Sequence, residues 1–318
     1  MREIKTISLI GLGAIGCAYG SKLFDLDPHL LQVIANDDRI KKYKENPILV
    51  NGKRYDFPFT RPDEKKEPAD LIIVSVKAIQ LSKAIQDMKH HVGKNTIILS
   101  LLNGITSEDE IGKVFGKDKL LYSMCVGIDA NRIENHTHFT SSGTIVFGEK
   151  QNNIYSDRVH AVKILFDQAG INYEIPKDMM HSLWWKFMVN VGINQCSAVL
   201  RGRYGVFQTI DEAKKLMEET MWEVIHVANK IGVQLSGEDI NSWYHVLNKL
   251  NPASRTSMLE DIELGRKTEV DIFAGVICEL GKKYGVDTPV NQMLYYMIKT
   301  NEAMSDTRKA QKKSTLLK

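Results

Sequence analysis

The chain has 318 residues, 43% apolar and 25% charged, a balance that supports a buried core and excludes a disordered or disulfide-stapled scaffold. Lysine and arginine (42) exceed aspartate and glutamate (39) by only three, so composition does not suggest nucleic-acid binding. The length fits two domains, or one domain with a large insertion.

The N-terminus reads as strand, tight turn and helix: 4–10 is a short β-rich run, Gly11 ends it, and 14–26 has helical spacing. Arg2 and Lys5 before the apolar stretch 6–20 imitate a secretion signal, but glycines break that stretch and an α/β pattern continues downstream. A second strand over 31–35 ends at Asn36-Asp37-Asp38-Arg39. Segments 48–50 and 53–59 flank Asn51-Gly52, a type I′ hairpin dipeptide, and read as a side excursion. The runs 69–76 and 96–102 are apolar and β-branched, as expected for strands covered on both faces of a parallel sheet. Strands over 120–128, around 137–140 and 144–148, a helix near 154–169 and a strand over 171–175 complete this half.

From Asp178 the apolar spacing becomes helical over 179–200, 208–231, 237–249, 258–282 and 290–304. The predicted fold class is therefore α/β: an N-terminal Rossmann-type dinucleotide-binding domain (1–176), an all-α C-terminal domain (177–304), and a polar basic tail (305–318). Arg308, Lys309, Lys312, Lys313 and Lys318 of that tail read as frayed and solvated. No apolar run approaches the ~20 residues a membrane span needs, and no membrane partner is expected. Cys17, Cys125, Cys196 and Cys278 lie in apolar stretches without Cys-x-x-Cys spacing, which predicts buried free thiols, a reducing cytoplasm and no metal site.

Gly11-Leu12-Gly13-Ala14-Ile15-Gly16 fits G-x-G-x-x-G directly between the first strand and the first helix. Gly11 serves the tight turn, Gly13 the approach of a pyrophosphate and Gly16 the helix-to-sheet contact, with helix N-terminal amides facing the anion. At the ribose end, Asp37 or Asp38 suits the hydroxyls of NAD, whereas Arg39 with Asn36 suits the 2′-phosphate of NADP. Lys77 and Asn103-Gly104 end the two buried strands, where open α/β sheets bind ligands; a solvated strand end and an ordinary turn former are the alternatives.

The segment 183–194 is apolar except for Lys186, Asn190 and Asn194. In an α-helix each four-residue step advances only about 40° past a full turn, so these three share one narrow face. Buried polar groups cost about 1–3 kcal/mol when unpaired, so the stripe calls for a polar ligand or a polar neighbouring helix. Trp184 and Trp185 read as packing residues. By periodicity alone Ser254 or Ser257 is an N-cap, and Glu269 is a surface charge within a helical stretch.

Together these motifs resemble the ketopantoate reductase (2-dehydropantoate 2-reductase) family over nearly the whole chain. The resemblance rests on the 11–16 turn, Val76-Lys77-Ala78, Asn103-Gly104, Leu183-Trp184-x-Lys186-x-x-x-Asn190-x-x-x-Asn194, Ser257-Met258-Leu259-x-Asp261-Ile262 and Thr268-Glu269-x-Asp271. It implies reduction of 2-dehydropantoate to pantoate with NADPH, in pantothenate and coenzyme A biosynthesis, with NADH not excluded. It implies Lys186 as proton donor, Asn190, Asn194 and Ser257 as substrate contacts with Ser254 beside them, and Asn103 as a contact of both substrate and cofactor. Lys77 would lie at the nicotinamide side, and Glu269 near the ribose and the catalytic lysine. The family architecture, a Rossmann-type domain followed by a helical domain with the site in the cleft, is implied too; a homodimer is left open.

Two positions depart from the family pattern: Gln195 stands where proline is common, and Arg201-Gly202-Arg203-Tyr204 lacks a substrate-side asparagine. Other readings are a related 2-oxo acid reductase, a β-hydroxyacid dehydrogenase with its own lysine and asparagine four apart, or a nucleotide-sensing protein without chemistry. Tyr295-x-x-x-Lys299 has the spacing of short-chain dehydrogenases, but at the wrong end of the chain, and reads as chance.

Overall fold

The computed structural model describes residues 3–316, and the chain divides into two compact units, Met1–Leu183 and Trp184–Lys318. The first unit contains, in chain order, β1 (Ile7–Ile10), α1 (Ala14–Leu26), β2 (Leu31–Ile34), α2 (Asp37–Glu45), β3 (Ile48–Val50), β4 (Lys53–Tyr55), β5 (Phe59–Thr60) and β6 (Leu71–Val74). It continues with α3 (Leu81–Asp87), β7 (Ile97–Ser100), α4 (Ser107–Phe115), β8 (Leu120–Ile128), β9 (Asn131–Ile133), β10 (His136–His138), β11 (Ser142–Gly148), α5 (Asp157–Gln168) and β12 (Tyr173–Glu174).

The main sheet has the order β12-β11-β8-β7-β6-β1-β2-β5. Its central strands are parallel and buried on both faces, which explains their unbroken apolar runs. Ile7 and Leu9 face one way, toward Cys17, Tyr19 and Leu23 of α1 and Val162 and Phe166 of α5. Ile10, Ile72, Val74 and Ile98 face the other way, toward Leu81, Ala84 and Ile85 of α3 and Ile111 of α4. β1 pairs with β2 on one side and β6 on the other, so the winding reverses there and leaves a crevice at its carboxyl end.

The Asn51-Gly52 hairpin forms as expected, with φ of 48° and 81° at its two central residues. It is more than an excursion, because β3 also pairs with β10, giving a separate four-stranded sheet of order β4-β3-β10-β9.

Next come α6 (Met179–Val189), a π-helical turn over Asn190–Asn194, α7 (Gln195–Leu200), α8 (Tyr204–Thr209) and α9 (Asp211–Lys230). They are followed by α10 (Gly237–Leu247), α11 (Ser257–Glu263), α12 (Ala274–Tyr284) and α13 (Pro289–Leu316). The unit boundary falls within α6 rather than at Pro176, since Met179 and Leu183 pack with Met124 and Val146 of the sheet unit.

The helical unit differs from the periodicity in four places. The run 179–200 contains the π turn, and 208–231 is split where Ile210 adopts an extended conformation. The expected helix over 258–282 is interrupted: Gly265 takes φ of 63°, and the Thr268 amide and hydroxyl both donate to buried Glu302, each at 2.7 Å. The tail, expected to fray, continues α13 through Leu316, tied back by a 2.8 Å Lys267–Asp306 ion pair and by Lys309 donating to the Gly265 carbonyl. The side chains of Arg308, Lys312 and Lys313 and the whole of Lys318 lie outside the described residues. Cys17, Cys125 and Cys196 are buried free thiols, whereas Cys278 is only half-buried.

The amino end of α13 is held by α9, whose Glu223 carboxylate accepts from the amides of Val290 (2.8 Å) and Asn291 (2.9 Å). These are amides that an isolated helix leaves without partners.

Candidate active site

The three glycines of the first turn do different jobs. Gly11 has φ of 100°, and a Cβ there would lie 2.6 Å from the Ser75 carbonyl oxygen. At Gly16 a Cβ would come within 1.9 Å of the Gly11 carbonyl oxygen, so the fold itself excludes one. Gly13 is exposed, and its Cβ would meet only the Ser75 oxygen at 3.8 Å. Nothing inside the protein requires that last glycine; its smallness leaves outer space beside the backbone. Gly13 caps α1 without a side-chain hydrogen bond, so the amides of Ala14, Ile15 and Gly16 begin a helix at its positive end. This cradle fits the pyrophosphate of a dinucleotide.

At the ribose edge, Asn36 is occupied as the cap of α2, accepting from the Arg39 amide at 3.1 Å. Asp37 and Asp38 occupy the first helical turn, where negative charge is favoured, and Asp37 accepts from Arg61 Nε at 2.6 Å. Arg39 is exposed. On the other side of β1, exposed Lys77 follows β6 and half-buried Asn103 follows β7. The structure thus brings Gly11–Gly16, Lys77 and Asn103 to the carboxyl edge of one sheet.

Two residues of this unit escaped the sequence reading. Arg132 of β9 donates from Nη1 to the Leu12 carbonyl in the glycine turn and lies 3.0 Å from Cys17 Sγ. No local signal marks it, because its position depends on the second sheet. Glu108 is buried at the start of α4, accepting from Ser107 Oγ at 2.9 Å, and burial lifts its carboxyl from 4.5 to about 7. Its place soon after Asn103 was visible in the sequence; its burial was not.

In the helical unit, Lys186 and Asn190 are half-buried and Asn194 is buried. Asn194 Nδ2 donates to Asn190 Oδ1 at 3.2 Å, so the two amides do meet along one line. The π turn helps: in α geometry four residues overshoot a full turn, whereas i→i+5 bonding makes four residues fall short, and the drift from Lys186 to Asn194 partly cancels. Trp184 is buried, and Trp185 Nε1 donates to the Asp239 carbonyl at 3.0 Å, in keeping with packing roles. Gln195 takes up the Val191 carbonyl at 2.7 Å and contacts Asn291 at 3.1 Å, which ties the π turn to α13.

Neither Ser254 nor Ser257 caps α11; the cap is Thr256, accepting from the Leu259 amide at 3.2 Å. Ser254 and Ser257 are exposed, and Thr256 joins their segment to α7 by a 3.0 Å bond to Ser197 Oγ. Glu269 is not within a helix; it is half-buried and precedes a single 3-10 turn over Val270–Ile272. Phe273 next to that turn packs on Phe187, with ring centroids 6.4 Å apart, so the Glu269 segment adjoins the helix of Lys186. Tyr295 and Lys299 both bond Asp271, at 3.0 and 3.1 Å, which accounts for their spacing structurally. A crevice lined by Arg201, Glu263, Arg266, Asn301 and Glu302 contains none of the predicted site residues.

Among known proteins, residues 7–152 match the family model for ketopantoate reductase PanE/ApbA, and 178–302 match the model for its C-terminal part. The 2-dehydropantoate 2-reductase of Streptococcus pyogenes serotype M6 is 28% identical over 302 residues, covering 94% of this chain and 98% of that protein. The Aquifex aeolicus 2-dehydropantoate 2-reductase is likewise 28% identical, over 304 residues, covering 92% and 96%. A solved D-mandelate dehydrogenase, in a ternary structure with NADH and anilino(oxo)acetate, superposes with a TM-score of 0.83 at 26% identity, covering 95% of this chain and 99% of that one. No described helix is long and apolar enough to cross a membrane. The chain belongs to the ketopantoate reductase family and is an oxidoreductase of the nicotinamide dinucleotide class.

Proposed function

We propose that the protein reduces a 2-oxo acid, 2-dehydropantoate in the first instance, to the 2-hydroxy acid with NADPH. The observation that carries this reading is the line of Lys186, Asn190 and Asn194 on an otherwise apolar helix, with the two amides in mutual contact. When bound, the reduced nicotinamide supplies the hydride that adds to the ketone carbon. Lys186 donates the proton to the carbonyl oxygen, and its charge stabilises the oxygen as negative charge develops. Asn190, Asn194 and Ser257, with Ser254 alongside, hold carboxylate and hydroxyl oxygens through neutral hydrogen bonds, and Asn103 contacts substrate and cofactor. Glu269 orients the lysine and the ribose. Gly11 to Gly16 receive the pyrophosphate, Lys77 serves the nicotinamide side, and exposed Arg39 receives a 2′-phosphate.

A second reading, a larger 2-oxo acid as substrate, is favoured by the missing asparagine in Arg201–Tyr204 and by the likeness to D-mandelate dehydrogenase. The test is a steady-state assay of 2-dehydropantoate against phenyl-2-oxoacetate, each with NADPH and with NADH. Turnover of the first with NADPH at the higher kcat/KM is expected. Preference for the phenyl acid selects the second reading, and no oxidation of either cofactor rejects both.

A further inference from the structure

We propose that Arg132 is a phosphate-recognition residue of the dinucleotide site, delivered to the glycine turn by the second, four-stranded sheet. The inference rests on the reading of that turn as the seat of a dinucleotide. Arginine has five N–H donors in a planar fork. In Arg132, Nε donates to the Glu134 carbonyl at 2.9 Å, while Nη1 donates to the Leu12 carbonyl and lies 3.0 Å from Cys17 Sγ. The guanidinium also lies 5.8 Å from the ring centroid of Tyr43 on α2. These contacts fix the plane of the fork and engage Nε and Nη1, leaving the outer nitrogen, Nη2, as the donor they do not occupy.

The surroundings say which chemistry would complete it. Among the described residues, the groups that meet the half-buried guanidinium are two carbonyls, the Cys17 sulfur and an aromatic face, none of them a carboxylate. A partly desolvated cation without a carboxylate is unfavourable unless an anion arrives. Leu12 lies within the glycine turn, next to Gly13 and the helix N-terminus that suits an anion. Tyr43 is on α2, the helix that follows the ribose-end residues 36–39. Arg132 therefore stands on the β2 side of β1, opposite Lys77 and Asn103, which follow the strands on its β6 side. That is the adenosine half of a dinucleotide, whose anionic groups are the pyrophosphate and, in NADP, the ribose 2′-phosphate.

The experiment measures dissociation constants of NADPH and NADH for wild type, Arg132→Met and Arg132→Lys by calorimetry, with thermal midpoints of the three proteins free of nucleotide. Arg132→Met should weaken NADPH about tenfold or more, as expected for losing a charge-assisted bond to phosphate. Arg132→Lys should recover part of the affinity, since charge remains and the fork does not. Equal loss for NADH assigns the contact to the pyrophosphate; loss confined to NADPH assigns it to the 2′-phosphate. Binding of both cofactors within twofold of wild type overturns the assignment. So does equal weakening in both variants with a matching fall in thermal midpoint, which marks a structural support of the turn. A wild-type protein that binds neither dinucleotide overturns the seat reading and this assignment with it.

Discussion

At the glycine turn the chain makes room by leaving side chains out, while on α6 it places polar side chains where apolar ones surround them. In the turn, Gly11 and Gly16 are dictated from inside by oxygens that a Cβ would strike, and Gly13 is the one whose missing side chain no inner atom requires. On α6 and the π turn, Lys186, Asn190 and Asn194 depend on helix phase, and their alignment changes with the local bonding pattern. Backbone-made sites therefore announce themselves as spacing in a sequence, whereas side-chain-made sites need the register of a helix to be known.

The largest effect should come from the side-chain region. Lys186→Ala should lower kcat by about 10²–10⁴-fold, the usual range for a lost proton donor, with little change in NADPH affinity. Steady-state kinetics with a separate nucleotide titration checks this, and near wild-type turnover would remove Lys186 from the proposed role.

The glycines break the comparison open from the other side. Gly16→Ala should destabilise the whole first unit by about 1–3 kcal/mol or more, because backbone oxygen, not a yielding side chain, meets the new carbon. Gly13→Val should cost no more than about 1 kcal/mol of stability, the loss of a favourable helix cap, while dinucleotide affinity falls more than about tenfold. Were Gly13→Val as unstable as Gly16→Ala, the division into inner and outer glycines would fail.

A smaller effect concerns pH. Glu108 is raised from 4.5 to about 7 by burial, so the folded protein holds its proton more tightly than the unfolded chain does. Its contribution is complete below about pH 4.5 and is lost as pH rises toward about 7, amounting to something on the order of 3 kcal/mol. Glu108→Gln, which keeps the shape of the protonated acid, should match wild type near pH 4.5 and exceed it in stability at pH 8. Denaturant titrations at the two pH values decide it; a constant difference would mean that Glu108 does not titrate in this window.

The smallest effect belongs to the cap that displaced the serines. Thr256→Ala should cost about 1 kcal/mol, read from thermal unfolding. Ser257→Ala should cost little stability, and a fall in kcat/KM there would mark Ser257 as a substrate contact.

The sheet unit was legible because its signals are local. Strands covered on both faces are apolar throughout, Asn51-Gly52 specifies its turn, and Gly11–Gly16 specifies both strand end and helix start. The second sheet was not legible, since β3 and β10 are far apart in sequence and short, and Arg132 was lost with it. In the helical unit periodicity found the helices but not their breaks. Residues 258–282 read as one helix until Glu302, distant in sequence, captures Thr268 and leaves Glu269 at the head of a 3-10 turn. Asn190 and Asn194 do meet, but through a π turn rather than an α-helix, because the apolar pattern of 183–194 does not distinguish α from π bonding.

The carboxylate of Glu223 at the head of α13 has a bearing on how the chain acquires its structure. A helix whose opening amides are satisfied by a residue in α9 cannot be fully stabilised by its own sequence. Its persistence is conditional on long-range docking, so the last helix is expected to gain order as α9 arrives, coupling the chain's end to the cooperative folding of the bundle.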